Sequence, residues 1–478
     1  MNFKVIGYVL SLLLFFEGVF LGVPTITAAI YGEKELFVLG GIAIGCIITG
    51  FLLSRILKPQ KMTMYAREGY LIVAFGWILL SLFGALPFYI SGCIPKFIDA
   101  LFESASGFTT TGASILTAVE DLPKCMLMWR SFTHWVGGMG VLVFIMAFVP
   151  ISGAQNIYIM KAESPGPSVS KLVPRIKTTA LVLYGIYFAM TFLEFFLLVF
   201  GEMNIFEALN TAFATAGTGG FGFRNSGMAD FSNYSQIVIT VFMIMFGVNF
   251  SCYFLLLTRK FKEAFNTEVR VYLSIIAVAI FIFTFNARPF FDSYRESLHH
   301  SAFTVASLIS STGFATTDFN LWPELSRTVI IMLMFVGACA GSTGGGMKVS
   351  RYIILVKSMA KEFELLVHPK QIKKIKMDGH QVEHEVIRSV NAYVVGFVFV
   401  FAISMLLISF DDLDLVTNFS AVTTSLNNIG PGLNAVGPMS NFSVFSAPSK
   451  AVLIFDMLAG RLEIFPILML FSPATWKK

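Results

Sequence analysis

Residues 108–114 read FTTTGAS, and they end a semi-apolar segment of about 12 residues that is too short to cross a membrane. Three more segments of this kind follow, and they end in AGTGGF (216–221), SSTGFA (310–315) and LNNIGP (426–431). Each one lies between two apolar stretches of about 20 residues, a length that crosses ~30 Å of hydrocarbon as a helix. The repeating unit is therefore a helix, a short re-entrant helix, a glycine turn and a second helix.

The amino-acid composition places most of the chain in lipid. Of its 478 residues, 56% are hydrophobic and 13% are charged, whereas soluble globular proteins carry about 25% charged residues. So little charge cannot cover a water-facing surface of ordinary size. The five cysteines stand singly in or beside apolar segments, which indicates neither a disulfide framework nor a metal site built from cysteine.

Ten apolar stretches predict membrane-spanning helices. They are Val5–Ala29, Leu36–Leu57, Gly69–Ser91, Trp135–Ile151, Ala180–Phe200, Gln236–Leu257, Val271–Phe285, Thr328–Leu355, Val390–Phe410 and Ala451–Phe471. The first is longer than the apolar region of a signal peptide and a second follows directly, so we predict a retained helix.

The fold class predicted from this pattern is an all-α polytopic membrane protein. Four helix–re-entrant pore helix–helix repeats surround one pore, and a two-helix transmembrane segment precedes them. The predicted boundaries are 1–60 for the N-terminal segment and 61–160, 161–265, 266–375 and 376–478 for the four repeats.

Charge in the connections predicts the orientation of the chain. Lys and Arg concentrate in alternate connections, including Arg55 to Arg67, Arg259 to Arg270 and Lys348 to Arg388, and the positive-inside rule puts these in the cytoplasm. The acidic connections then face outward, and they contain the four re-entrant segments. Irregular backbone at membrane depth is tolerated only where protein buries it or where it lines a watery cavity. We therefore expect the four turns to meet at a pore.

Glycine turns around a common axis favour a cation. Gly112, Gly219, Gly313 and Gly430 have no side chain to block the axis, and glycine permits backbone angles that aim carbonyl oxygens inward. Rings of carbonyls replace the hydration shell of potassium. The re-entrant helices would also direct their partially negative C-terminal ends towards the ion.

Several motifs together resemble the Trk/Ktr/HKT superfamily of cation channels and transporters. They are the four turns, KAESPGP at 161–167, GSTGGG at 341–346 and NNIGPG at 427–432. The two additional stretches before the first repeat resemble the TrkH branch, the membrane subunits of bacterial Trk potassium uptake systems. The resemblance covers essentially the whole chain. It implies a multi-pass protein of the bacterial cell (inner) membrane that is not an enzyme and that conducts K⁺ passively.

The resemblance also implies which residues carry the function. The selectivity filter would consist of Thr110, Thr111, Gly112, Thr218, Gly219, Gly220, Ser311, Thr312, Gly313, Asn428, Ile429 and Gly430. Members with serine at the first filter glycine tend towards sodium, so Gly112 favours potassium. An intramembrane gate would consist of Gly341, Ser342, Thr343, Gly344, Gly345 and Gly346, with Arg461 as a second barrier.

The partners expected from the resemblance are a second copy of the chain and a cytoplasmic regulator. Members assemble as homodimers with one pore per chain, and a ring of nucleotide-binding TrkA-type subunits gates them. Membrane lipid surrounds the protein, and nucleic acid is not expected. The chain itself would bind no cofactor, and K⁺ is the ion that it transports.

Two other functions fit parts of the sequence. A Na⁺- or H⁺-coupled K⁺ symporter of the same superfamily would share the pore. A membrane metalloprotease is the other, because His380, Glu383 and His384 match an H-x-x-E-H zinc pattern that a helix would place on one face.

Four charged residues near the predicted pore allow more than one role. Glu103 and Glu207 stand early in re-entrant helices, where they would either attract cations or have a structural role, capping a helix or lining the mouth. Arg224 follows the second turn and would reduce cation entry at the outer mouth. Lys348 is interpreted as a cytoplasmic anchor.

Overall fold

The structure, a computed structural model, describes residues 1–60, 64–140, 176–371 and 374–477. The motif at 161–167, the predicted boundary between the first two repeats and most of the predicted span Trp135–Ile151 lie outside these ranges. Within them the chain is helical except for one two-stranded hairpin and irregular connections. This confirms the all-α class.

Three helices form the N-terminal segment: α1 (Phe3–Phe20), α2 (Gly22–Tyr31) and α3 (Leu36–Ile56). Helices α1 and α2 together form one span, as predicted. Helix α1 packs along α3, and their backbones meet at Gly50, where an added Cβ would lie 2.5 Å from the amide nitrogen of Phe15. Close packing of backbones at glycine is typical of membrane helices.

The first two repeats follow the predicted order of elements. Repeat 1 comprises α4 (Ala66–Ile90), α5 (Phe97–Phe108) and α6 (Lys124–Gly138). Repeat 2 comprises α7 (Ile176–Phe200), α8 (Ile205–Ala216), α9 (Asn233–Phe246) and α10 (Phe250–Leu257). Helices α5 and α8 are the short pore helices, and their C-terminal halves are buried.

The last two repeats have the same plan with additional cytoplasmic elements. Repeat 3 comprises α11 (Phe261–Ala264), α12 (Thr267–Asn286), α13 (Tyr294–Ile309), α14 (Glu324–Val336) and α15 (Val349–Val367). A hairpin of β1 (Lys376–Met377) and β2 (His380–Gln381) follows. Repeat 4 comprises α16 (His384–Ile408), α17 (Leu415–Leu426), α18 (Ala447–Arg461), α19 (Phe465–Phe471) and α20 (Pro473–Trp476).

The outer helices carry the surface that faces lipid. Six spans in the described ranges are long and apolar enough to cross a membrane: Phe3–Tyr31, Leu36–Ile56, Ala66–Ile90, Ala180–Phe200, Thr267–Asn286 and His384–Asp411. Large apolar side chains such as Phe281 and Phe399 are exposed on them. Exposing this much apolar surface to water is energetically unfavourable, so the solvent around these helices is lipid.

Two predicted spans are wrong as single helices. Within Gln236–Leu257 the chain bends by 94° between α9 and α10. Asn249 caps α10 there by accepting a hydrogen bond from the backbone of Ser251 at 2.8 Å. Within Ala451–Phe471 the helix stops at Arg461, and Glu463 and Ile464 adopt positive φ. Hydropathy does not detect these breaks because the pieces on both sides are equally apolar.

A third break agrees with the resemblance. Between α14 and α15 the chain forms an irregular loop at 337–348, which contains the glycine-rich segment Gly341–Gly346. The second helices of repeats 2, 3 and 4 are thus all interrupted. In each of these three repeats the second helix is therefore two pieces rather than one continuous span.

We predict that Gly50→Ala lowers the thermal stability of the detergent-purified protein, whereas Gly45→Ala does not. A methyl group at 50 would push α1 and α3 apart, and such overpacking costs about 1–3 kcal/mol. Nothing lies within 4 Å of a Cβ at Gly45 on the same helix. Unfolding temperatures measured by fluorescence-detected size exclusion would compare the two variants, and equal values would contradict the packing.

Candidate functional site

The four turns at the ends of the pore helices share one backbone conformation. In each turn two residues, separated by one, adopt positive φ: Thr110 and Gly112, Thr218 and Gly220, Ser311 and Gly313, and Asn428 and Gly430. Positive φ is strained for residues other than glycine, and it persists only where the surrounding structure imposes it. The fourfold recurrence shows that the turns are structural equivalents.

This equivalence corrects the alignment of the second turn by one residue. The structural counterpart of Gly112, Gly313 and Gly430 is Gly220, whereas Gly219 occupies the place of Thr111, Thr312 and Ile429. The sequence contains two adjacent glycines at 219 and 220 and does not indicate which one takes the left-handed conformation. The other three turns align as predicted.

The turns form a closed ring of backbone contacts. A Cβ on Gly112 would overlap the carbonyl oxygen of Gly219, one on Gly220 would overlap that of Thr312, and one on Gly313 would overlap that of Ile429. A Cβ on Gly430 would lie 2.8 Å from the carbonyl oxygen of Thr111, which closes the ring. Each glycine therefore leaves room for a carbonyl oxygen of the next repeat, so the predicted filter residues of the four repeats lie together.

Side chains brace these turns from behind. Thr109 and Thr111 share a hydrogen bond of 2.8 Å between their hydroxyl groups, and Ser310 and Thr312 share one of 2.7 Å. Asn428 donates from Nδ2 to Oγ1 of Thr111 at 2.9 Å and so joins the fourth repeat to the first. These hydrogen bonds hold the side chains of Thr109, Thr111, Ser310 and Thr312 against their own turns.

A buried ion pair supports the first two turns. Arg130 on α6 donates from Nε to Glu103 on pore helix α5 at 2.8 Å, and both side chains are almost fully buried. Glu103 also accepts from the hydroxyl of Ser114, and Arg130 donates to the carbonyl of Gly222. Glu103 is thus held in a buried ion pair, which is neither helix capping nor lining of the mouth.

Charges at the outer mouth are paired. Glu207 belongs to a capping box with Asn204 at the start of α8, and it accepts from Arg224 at 2.8 Å. Arg224 also stands over the ring of Phe231. Arg224 is therefore paired with a carboxylate, and its expected effect on cation entry stays a prediction.

Pore helix α17 begins with an ionised cap on the same side. Burial alone would raise the pKa of Asp414, but hydrogen bonds from Thr417, Asn434 and Val416 hold that pKa below its usual value. A carboxylate at this N-terminus complements the helix dipole.

The loop at 337–348 lies against the turns of repeats 3 and 4. The amide of Gly345 donates to Oγ of Ser311 at 2.5 Å, and a Cβ on Gly345 would overlap the carbonyl oxygen of Asn427. Glu268 on α12 accepts from the amides of Ala340 and Ser350 at 2.8 and 3.1 Å, and so holds both ends of the loop.

Two cations hold this loop through carbonyl oxygens. Arg461 donates to the carbonyls of Thr343 at 2.9 Å and of Gly138 at 2.7 Å, and it also donates to that of Gly137. It thereby joins the loop of repeat 3 to the end of α6 in repeat 1. Lys348 is buried and its Nζ donates to the carbonyl of Gly344. The interpretation of Lys348 as a cytoplasmic anchor is wrong.

Sequence reasoning missed the neighbouring ion pair of Arg351 and Glu463. Both side chains are more than nine-tenths buried, and the pair joins α15 to the break after α18. The signal was present, since Arg351 lies in a predicted apolar span and charges inside membranes are usually paired or functional. Glu463 lies two residues from Arg461 in the sequence, but its ion-pair partner in the structure is Arg351.

The metal-binding pattern does not form a site. His380 lies in β2, whereas His384 begins α16, so the two histidines do not share a helical face. Both are exposed, as is Glu383. Within the part of the chain that the structure describes, the close group of three potential metal ligands is Glu33, Glu35 and Cys125, which lies elsewhere.

Four repeated pore elements inside a lipid-facing helical shell define a multi-pass membrane transport protein. Residues 37–478 match the family model TrkH, described as a cation transport protein. The chain therefore belongs to the TrkH family of cation transport proteins. Members of this family are membrane transporters and not enzymes. This confirms the predictions that the chain is a transport protein, that it is not an enzyme and that it lies in the cell (inner) membrane.

Individual relatives are similar over their full length. The "Trk system potassium uptake protein TrkH" of Salmonella typhimurium is 33% identical, and the match covers 100% of both chains. The "Trk system potassium uptake protein TrkG" of Escherichia coli is 31% identical over 95% of this chain and 94% of its own. The crystal structure of the potassium transporter TrkH from Vibrio parahaemolyticus superposes with a TM-score of 0.89 at 30% identity and covers 100% of both chains.

We predict that Arg130→Met destabilises the protein far more than Arg224→Met. Removing Arg130 leaves the Glu103 carboxylate buried and unpaired, which costs about 3–5 kcal/mol. Arg224 is partly exposed, and such pairs contribute about 0–1 kcal/mol. Thermal unfolding in detergent would measure both. Adding Glu103→Gln to Arg130→Met should recover part of the loss, and no recovery would contradict the pairing.

Proposed function

We propose that the chain takes up potassium through the ring of four turns, down the electrochemical gradient of the ion. The filter would consist of the turn residues named above, with Gly220 as the counterpart of the other three glycines. Support comes from the relatives, which are potassium uptake proteins by name. An inside-negative potential supplies about 2.3 kcal/mol per 100 mV for each charge that enters.

The closed ring of backbone contacts is the observation that carries this proposal. Carbonyl oxygens of Thr111, Gly219, Thr312 and Ile429 each approach a glycine of a neighbouring repeat. Rings of backbone carbonyls are the kind of ligand that replaces the hydration shell of K⁺. Four pore helices also end at the ring, and their C-terminal dipoles favour a cation there.

We further propose that the loop at 337–348 and Arg461 form the gate. The loop packs against the ends of pore helices α13 and α17, and Arg461 fastens it to repeat 1. The positive charge of Arg461 would also oppose a cation that leaves the filter. Conduction then requires the loop to move and Arg461 to exchange its carbonyl partners.

The hairpin and α15 connect the cytoplasmic side of the chain to the proposed gate. The hairpin is fixed to repeat 3, because Asp378 accepts from the backbone and hydroxyl of Thr267 and Lys357 donates to the carbonyl of Lys376. Helix α15 connects this region to the loop, which ends where α15 begins. We propose that a nucleotide-binding TrkA-type subunit docks here and that the chain assembles as a homodimer with one pore per copy.

Gly313→Ser should lower the K⁺/Na⁺ selectivity of flux about tenfold, equivalent to about 1.4 kcal/mol. Its Cβ would displace the carbonyl of Ile429 and so distort the ring. Flux into proteoliposomes under K⁺ and Na⁺ gradients measures the ratio, with lipid-facing Gly45→Ser as the control. Wild-type selectivity in Gly313→Ser would reject the filter. Uptake that requires a Na⁺ or pH gradient would instead identify coupled symport.

Arg461→Ala should raise K⁺ flux several-fold in the absence of any partner. The substitution removes the hydrogen bonds that tie the loop to repeat 1, and hydrogen bonds to charged groups contribute about 1.5–3 kcal/mol each. Arg55→Ala is the control, because Arg55 lies exposed at the end of α3. Flux equal to that of wild type would contradict the role of Arg461 in the gate.

A further inference from the structure

The second turn differs from the other three at one position. The residue before the left-handed glycine is Thr111, Thr312 or Ile429 in repeats 1, 3 and 4, and it is Gly219 in repeat 2. Thr111 and Thr312 use their hydroxyl groups to brace their own turns. Gly219 has no side chain and cannot brace its turn in this way.

His134 on α6 of repeat 1 occupies the space that a side chain at 219 would fill. A Cβ built on Gly219 would overlap the imidazole ring of His134. The histidine is fully buried among the turns. The side chain that fills this space therefore comes from a different repeat than the turn.

The imidazole is fixed by hydrogen bonds at both nitrogens. Its Nδ1 lies 2.7 Å from the carbonyl oxygen of Gly107 on pore helix α5, and the amide of Phe221 donates to Nε2 at 3.2 Å. A carbonyl can only accept and an amide N–H can only donate, so Nδ1 carries the proton and the ring is neutral. One side chain thus connects the pore helix of repeat 1 to the filter segment of repeat 2.

Aromatic contacts reinforce this connection. The ring of Phe221 lies 4.2 Å from that of His134. The guanidinium of Arg130 stands over the Phe221 ring, 4.1 Å from its centroid. Arg130 also donates to the carbonyl of Gly222 at 2.8 Å. Two residues one turn apart on α6 therefore hold the segment that follows the second turn.

We propose that His134 is a positioning residue for ion selectivity, which replaces the missing side chain of Gly219 and sets the second turn of the filter. This inference rests on the proposed function, because His134 can affect selectivity only if the turns form the filter. It predicts that substitutions at positions 134 and 219 are energetically coupled, because Gly219 leaves room for the imidazole. Position 220 should not be coupled to 134, because Gly220 leaves room for a backbone carbonyl.

The test compares Gly219→Ala, His134→Ala and the double variant by K⁺ and Na⁺ flux in proteoliposomes. Gly219→Ala should reduce K⁺ flux at least tenfold, because its methyl group meets the imidazole ring. His134→Ala should lower K⁺/Na⁺ selectivity about tenfold, because the turn loses its brace. The double variant should regain most of the flux lost in Gly219→Ala, because the ring is gone.

Gly220→Ala provides the matched control. Its Cβ would overlap the carbonyl oxygen of Thr312, which no substitution at 134 removes. His134→Ala should therefore fail to rescue Gly220→Ala. Should Gly219→Ala not fold, the monodisperse size-exclusion peak is the readout instead, and the double variant should recover it.

The inference is overturned if His134→Ala keeps wild-type selectivity, or if it does not improve Gly219→Ala in flux or in folding. Rescue of Gly220→Ala to the same extent would also overturn it, since the coupling would then be unspecific. The selectivity of Gly313→Ser tests the filter independently of His134. If that variant changes selectivity while positions 134 and 219 do not couple, only the role of His134 is rejected.

Discussion

The contact between a glycine of one repeat and a carbonyl oxygen of the next is the constraint on which the rest of the structure depends. A single Cβ at Gly112, Gly220 or Gly313 would occupy the place of that oxygen. Four such contacts close a ring, so the repeats must approach one another to backbone distance. Polar side chains then pair with one another around the turns, as Thr109 does with Thr111 and Arg130 does with Glu103.

The interrupted second helices of repeats 2, 3 and 4 impose a second requirement on the buried groups. Helices α9, α14 and α18 end and the chain continues in another direction. An unwound backbone exposes amide and carbonyl groups, and these must find partners at membrane depth. Glu268 accepts two such amides, and Arg461 and Lys348 donate to such carbonyls. Buried charge in this region is therefore used to satisfy irregular backbone.

Much of the fold was predictable because hydropathy and glycine turns repeat along the chain. The four pore helices, the N-terminal helices and the glycine-rich loop follow from this pattern. The breaks near Asn249 and Glu463 were not predictable in this way, since a capping asparagine and a pair of left-handed residues leave hydropathy unchanged. The burial of Lys348 and the pairing of Arg351 were missed because a cluster of basic residues is typical of a cytoplasmic segment.

The role of His134 was missed for a different reason, because it depends on a contact between repeats that no spacing along the chain reveals. Adjacent glycines at 219 and 220 gave the only signal, and the sequence alone assigns them identical freedom. The structure separates them by their neighbours, an imidazole ring for one and a backbone carbonyl for the other. Internal repeats therefore predict what the units share, whereas departures from the repeat have to be explained by contacts between units.

The energy that holds the proposed gate closed sets what a regulatory partner must supply. Arg461 has carbonyl partners on both the loop and α6, and bonds of this kind contribute about 1.5–3 kcal/mol each. Two or three of them amount to several kcal/mol in favour of the closed loop. Moving an equilibrium from 1:99 to 99:1 requires about 5.5 kcal/mol of differential binding. If a partner docks on the hairpin and α15 as proposed, it has to prefer the open loop by a comparable amount. One protein interface can supply this, whereas a few surface ion pairs cannot.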